Sequence, residues 1–389
     1  MEDLRRAFDL HPEAIYLDAA GEGPLPRCAR DALLSVLDRK INPFRLGGEE
    51  YFQIPGRVRE QSARIAGCRP EEIVLTSSTG AGINLAAAGL PLKAGDEVLL
   101  LKGDFPALVN PFLQARSRGI VPVDITPSGK FPSPLDFQRA ITPRTRVIAV
   151  SHVLAHNGFR NDLAALGGIC RERGIWFVVD AAQSAGVLPL NLEETSIDLL
   201  AAPAHKWLLG PPGAGFAAIR ADVMERMTAP AVGWMGAMSH AAQLIAPPPF
   251  DLSRFIGGRK FEVGTPSYLQ LAAWSASLEM INEIGVERIE KHVTTILEPL
   301  REYLGNSPYK VISSPDVSHR SGILSFTGKF PAKLLRLLHE QKIFAGLRAG
   351  ALRFSPHFYN KAEEIGRVIE ALRELESVKL DADRKGENL

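Results

Sequence analysis

Val178-Val179-Asp180-Ala181-Ala182-Gln183-Ser184-Ala185-Gly186 and, a little further on, Asp198-Leu199-Leu200-Ala201-Ala202-Pro203-Ala204-His205-Lys206-Trp207 decide how this chain is read. In the first stretch a short apolar run closes on an acid; in the second, a lysine lies just past the end of the next run. Such short, continuous apolar runs suit strands buried on both faces of a parallel sheet. Working outward, comparable runs fall at 73–76, 98–101, 121–125, 147–151, 176–180, 199–202 and 215–219, separated by longer segments of helical periodicity. The alternation predicts an α/β fold with one large, mostly parallel, seven-stranded sheet wrapped by helices. Ligands of such sheets sit beyond the carboxyl ends of the strands, and Thr76-Ser77-Ser78, Ser151-His152 and Asp180 converge there on one candidate site.

From 229 to 258 the chain turns rich in Pro, Gly and Met, an irregular connection to a smaller α+β domain. Its helices are predicted at 267–286, 288–304 and 362–375, and its strands at 311–313 and 322–326. The expected division is an N-terminal segment 1–15 packed with the small domain, a large domain 16–255, a small domain 256–380 and a disordered tail 381–389. With 45 Lys plus Arg against 44 Asp plus Glu among 389 residues, no charge excess draws the chain to nucleic acid or an anionic membrane, so a small-molecule ligand is the expected partner. The N-terminus lacks a secretory pattern and no apolar run spans a bilayer, which predicts a cytoplasmic protein. Cys28, Cys68 and Cys170 are widely separated and show no metal-ligand spacing, so they read as packing residues and no metal is expected.

A lysine desolvated at a strand end has a depressed pKa, and a neutral amine is what condensation with a carbonyl requires. A carboxylate against a pyridine nitrogen favours the protonated ring, an electron sink for a carbanion. Taken alone, an Asp and a Lys on neighbouring strands are more often a structural ion pair. The wider string Asp-Ala-x-Gln-Ser-x-Gly followed by His-Lys-Trp, within a match running from Tyr16-Leu17-Asp18-Ala19-Ala20 to Tyr359-Asn360, resembles the class V aminotransferases. This family of pyridoxal 5′-phosphate (PLP) enzymes includes cysteine desulfurases, selenocysteine lyases, kynureninase and isopenicillin N epimerase.

The resemblance implies fold type I, PLP held as a Schiff base on Lys206, Asp180 on the pyridine nitrogen, Gln183 on the phenolic oxygen and His205 on the phosphate. Pro203 stands where many relatives have a hydroxyl residue, so one phosphate contact is expected to be missing. The turn Thr76-Ser77-Ser78-Thr79-Gly80 ends a strand and opens a helix, so its N–H groups suit a phosphate, although such turns are often simple N-caps. The resemblance assigns the phosphate to Ser78, Thr79 and Gly80. It places Phe105 as the ring stacked on the cofactor, against a plain core Phe, and His152 near the ring oxygen, against a structural His. Gly264-Thr265-Pro266 resembles a motif whose Thr reaches the phosphate of the neighbouring subunit, which implies a homodimer; a helix N-cap there is compatible. Arg353 matches the arginine that clamps the substrate carboxylate, a task suited to a bidentate, permanently charged donor.

Desulfurases of this family carry a reactive Cys on a loop shortly before that arginine, whereas Gly346-Leu347-Arg348-Ala349-Gly350-Ala351-Leu352 has none. The reading is therefore a PLP-dependent enzyme acting at the Cα of an amino acid, an aminotransferase or a C–S or β-eliminating lyase, with Lys206 as the base. An epimerase, or a PLP-fold binding module with impaired catalysis, is the alternative. The side-chain pocket draws on variable loops such as 19–26 and 233–249, and does not name the substrate.

Overall fold

The computed structural model describes residues 4–48, 50–238, 243, 251 and 257–385. After the short strand β1 (Ile15–Tyr16) the chain lays down β2 (Ile73–Thr76), β3 (Glu97–Leu101), β4 (Val121–Ile125), β5 (Thr145–Ser151), β6 (Trp176–Asp180), β7 (Leu199–Pro203) and β8 (Gly215–Ile219). The last seven form one sheet in the order β2-β8-β7-β6-β5-β3-β4. Only β8 runs antiparallel to its neighbours, so the carboxyl ends of β2, β3, β5, β6 and β7 share one edge. Alternation along each strand sends Leu99, Ile148, Phe177, Val179 and Leu200 into one apolar core and Val98, Val147, Val178, Leu199 and Ala201 into another on the opposite face. Burial on both faces explains why the strands read as continuous apolar runs.

Two local features bring backbone to the site edge. The helix Thr79–Gly89 lies close on the sheet because Gly82 has no side chain: a Cβ there would stand 2.6 Å from Ala201 Cβ. Pro203 closes β7 opposite Gly215, past Ala201, the last residue that pairs with β6; its missing N–H therefore breaks no bond on that side.

The C-terminal region continues with helices Tyr268–Ile284 and Val286–Gly305 and an antiparallel sheet of order β12-β13-β10-β9. Its strands are β9 (Lys310–Val311), β10 (Leu324–Thr327), β12 (Gly346–Arg348) and β13 (Ala351–Phe354), while β11 (Ile343–Phe344) pairs in parallel with β1. The N-terminal segment is thus joined to this region, reinforced by an Arg5–Glu364 ion pair of 2.8 Å and by Phe8 packed on Tyr359. The closing helix is Ala362–Lys385; no Gly or Pro interrupts the chain from Arg367 to Lys385, and most residues there are good helix formers. Residues 386–389, much of the connection expected at 229–258 and the boundary at 255–256 lie outside the described residues. Among the described residues no helix is long and apolar enough to cross a membrane.

Candidate active site

At the shared strand edge lies a cavity of about 340 Å³, within the range of small-molecule sites. The structure brings Ser78, Thr79, Gly80, Phe105, Asp180, Gln183, His205, Lys206 and Arg353 into its lining. It does not bring in His152 or Thr265. His152 is buried one residue beyond β5, where its N–H donates to the Asp180 carbonyl at 2.9 Å, and its Nδ1 has no partner among the described residues. Burial, with the Arg160 charge, depresses its pKa to about 3. Ser151, paired with Asp180, faces the Asp104 carboxylate, and the period-two alternation of an extended chain turns the next side chain away. Thr265 is exposed, just ahead of the helix Tyr268–Ile284, whose N-cap is Ser267.

Asp180 and Lys206 do not form the structural ion pair that their positions alone suggested. Among the described residues the Lys206 amine makes no hydrogen bond or ion pair, and Nζ stands 5.3 Å from the Phe105 ring centre. Burial pushes the Lys206 pKa down; Asp180 opposes this through space, while Arg353 and Arg348 add to it. Asp180 is pushed up to about 6 by burial, against the Ala182 N–H and the Lys206 charge. Desolvation thus drives both groups toward their neutral forms, and their mutual attraction offsets only part of it. One carboxylate oxygen of Asp180 accepts from Ala182 N–H at 2.8 Å, and the other has no hydrogen-bond partner among the described residues.

The neighbours of these two groups are held in place. Gln183 accepts from the Trp207 indole N–H at 2.8 Å and donates to the Ala20 carbonyl at 3.0 Å. Because an indole N–H only donates, the amide orientation is fixed and its second N–H is left for the cavity. Phe105, 43% exposed, begins the turn into the helix Pro106–Gln114, and its N–H donates to Asp104 at 2.7 Å. The buried Asp104 also accepts from the Ser151 N–H and hydroxyl, at 2.9 and 2.5 Å. It therefore ties the ends of β3 and β5 together beneath the aromatic ring.

Ser78 caps the helix Thr79–Gly89 by accepting from the Ala81 N–H at 3.1 Å. The N–H groups of Thr79 and Gly80, in the first helical turn, have no acceptor among the described residues and face the cavity end of the helix dipole. The N-cap reading and an anion site coincide here. His205 is half-buried, and burial together with the Lys206 charge lowers its pKa.

On the opposite wall Arg353, 1% exposed, donates to Asp18 at 2.9 Å and to the Ala155 carbonyl at 3.1 Å, while its Nε has no partner among the described residues. Asp18 fits because Gly21 and Gly346 crowd its carboxylate: a Cβ on either would come within 2.4 or 2.8 Å of an Asp18 oxygen. Asp18, Asp104, Trp207 and the cavity-lining Arg348 were not singled out from the sequence. Arg348 did carry a signal, a basic residue just before an Ala-Gly turn between two apolar runs. Asp18 carried none that pointed to a partner so distant in the chain.

The class V aminotransferase model matches residues 15–368, and the chain belongs to this family of PLP-dependent enzymes. It is 27% identical to an uncharacterized aminotransferase, YcbU, of Bacillus subtilis, over 90% of this chain and 93% of that one. A probable cysteine desulfurase of Methanothermobacter thermautotrophicus is 28% identical, over 96% of this chain and 98% of the relative. In fold the chain is similar to a mutant of C-DES with glycine covalently linked to its PLP cofactor, with a TM-score of 0.85 at 24% identity, covering 95% of this chain and 98% of that one.

The cavity fits PLP on its own terms. It offers unpaired helix N–H groups for a dianion, a carboxylate oxygen without a partner at its floor, an amide N–H beside it and an uncommitted amine. None of the three cysteines lines it; burial holds the Cys68 thiol up at about 12 and raises Cys170 as well.

Proposed function

We propose that this PLP-dependent enzyme removes the Cα proton of an amino acid through Lys206 and is an aminotransferase or a β-eliminating lyase. The observation that carries the reading is a half-buried lysine, held toward its neutral form and making no ion pair among the described residues, in a cavity that also offers a second Asp180 oxygen and the Thr79 and Gly80 N–H groups without partners among those residues. Thr79, Gly80, Ser78 and His205 would hold the phosphate, Asp180 the pyridine nitrogen, Gln183 the phenolic oxygen, and Phe105 would stack on the ring. When bound, PLP supplies a protonated ring that draws electron density from the reacting carbon. Arg353 binds the α-carboxylate and so fixes which Cα bond faces Lys206, and Asp18 holds Arg353 in place. A single amine that takes up and returns a proton suffices for transamination or elimination. Persulfide chemistry lacks its cysteine in this cavity.

We also propose a homodimer in which Thr265 approaches the partner's cofactor. Thr265 is exposed and outside its own chain's cavity, and Leu34, Leu37, Ile41 and Phe44 form an exposed apolar row on and just after the helix Arg27–Ile41.

The test incubates PLP-loaded protein with a panel of amino acids and assays the products separately. Pyruvate with ammonia indicates elimination, a keto acid formed stoichiometrically with the cofactor indicates transamination, and loss of optical activity alone indicates epimerisation. Protein that retains no PLP after excess cofactor is removed, or holds it and turns over nothing, overturns the reading.

A further inference from the structure

A second guanidinium stands at the cavity with no counter-charge paired to it among the described residues. Arg348 ends β12, and after Ala349 and Gly350 the chain returns as β13, which carries Arg353. Arg348 pairs with Ala351, so both point to one face of the hairpin, and Arg353, two residues on, points to the same face. The two arginines are therefore diagonal neighbours on that face, separated by ~7–8 Å at the backbone. Both line the cavity.

Their surroundings differ. Arg353 is buried and anchored by Asp18 and Ala155. Arg348 is exposed, donates only to the carbonyl of its neighbour Leu347 at 2.9 Å, and has no carboxylate partner among the described residues. Of the nearby acids Asp18 pairs with Arg353 and Asp180 accepts from Ala182, and among the described residues no hydrogen bond or ion pair links either of them, or Glu22, to Arg348. The presentation is firm, because Ala349 (φ 49°) and Gly350 (φ 74°) make a tight turn and the Thr327 hydroxyl donates to the Gly350 carbonyl at 3.0 Å. The charge reaches inward, lowering the pKa of Lys206 and of Arg353.

We infer that Arg348 determines substrate specificity by receiving a second anionic group, so that the preferred substrate is an acidic amino acid with a carboxylate or sulfinate on its side chain. The inference rests on the proposal that Arg353 takes the α-carboxylate. With that carboxylate diagonal to Arg348 across the hairpin, a short side chain such as that of aspartate or glutamate bridges the two guanidinium groups, whereas a neutral one leaves Arg348 unpaired.

The experiment titrates PLP-loaded protein with L-aspartate, L-glutamate, L-alanine and L-norvaline and measures Kd from the change in the cofactor absorption. Wild-type protein should favour the acidic ligands. In Arg348→Met the acidic-over-neutral ratio of affinities should fall on the order of 10- to 100-fold, the scale of a charge-assisted hydrogen bond, and Arg348→Lys should restore part of it. A wild-type preference for the neutral ligands, or a ratio unchanged in Arg348→Met, overturns the inference while the proposed function stands. No response to any amino acid, in protein shown by its absorption to hold PLP, overturns both.

Discussion

Replacing Asp180 by Asn should make the cofactor-free protein more stable at pH 8 and the cofactor-loaded protein less so. The buried carboxyl is held at about 6 against an ordinary 3.8, so the native state keeps its proton where the unfolded chain has lost it. A raised carboxyl pKa works against the folded state as pH rises: the penalty is absent below about 3.8, grows through the window to about 6 and is complete above it. At 1.36 kcal/mol per unit this amounts to about 3 kcal/mol for a group that is 3% exposed. Asn keeps an oxygen for the Ala182 N–H and has no proton to lose, so Asp180→Asn removes the pH dependence. For a chain of 389 residues, ~3 kcal/mol corresponds to a Tm difference of about 4 °C. Calorimetry on the two cofactor-free proteins from pH 4.5 to 8 should show Asp180→Asn gaining on wild type as pH rises, with the gain levelling above pH 6. Taking the difference between the proteins cancels the titrating groups that do not feel Asp180; Lys206 and Asp104 remain coupled to it. With PLP bound, wild type should regain the advantage, because the ring's positive charge then faces the carboxylate. Parallel Tm profiles in the cofactor-free proteins would refute the account of a carboxylate destabilised by burial.

Three further outcomes are expected. Lys206→Ala should abolish the visible absorption of lysine-bound PLP, which a spectrum after removal of excess cofactor checks. Asp18→Asn should leave the buried Arg353 charge uncompensated, lowering stability by roughly 3 kcal/mol in thermal or denaturant unfolding and raising KM more than it lowers kcat. Gln183→Leu deprives the buried Trp207 indole N–H of its acceptor, a loss of about 1–3 kcal/mol visible in unfolding, and should shift the absorption of the bound cofactor.

The sheet was legible because its strands are buried on both faces and each therefore spells its own apolar run; all seven expected strands form. The elements that escaped notice are those whose existence depends on a distant partner. β1 and β11 span two residues each and carry no period; they exist because Ile15 lies beside Ile343. Asp18 escaped for the same reason, since its partner Arg353 is 335 positions away. Asp104 was in view beside Phe105, but its task is set by Ser151, in another strand. The place of His152 beside Asp180 was legible, whereas the face its side chain takes, outside the cavity lining, depends on the registration of β5 against β6.

Two of the expected departures prove to matter differently. Pro203 lines the cavity at a point where β7 has already left β6, so a proline there does not disturb the strand that carries Lys206 forward. The cysteine-free segment before Arg353 is a tight hairpin that brings a second arginine to the same cavity. The two arginines act on the lysine as well as on a substrate. Burial depresses the Lys206 pKa most; Arg353 and Arg348 add to it, and Asp180 and Asp18 counter only in part. An incoming carboxylate would neutralise some of that positive charge and make the Lys206 ammonium easier to form, so substrate binding itself strengthens the lysine as a base. Burial together with the two arginines favours a neutral amine suited to condensation in the free cavity, and a bound carboxylate would shift that amine toward accepting a proton.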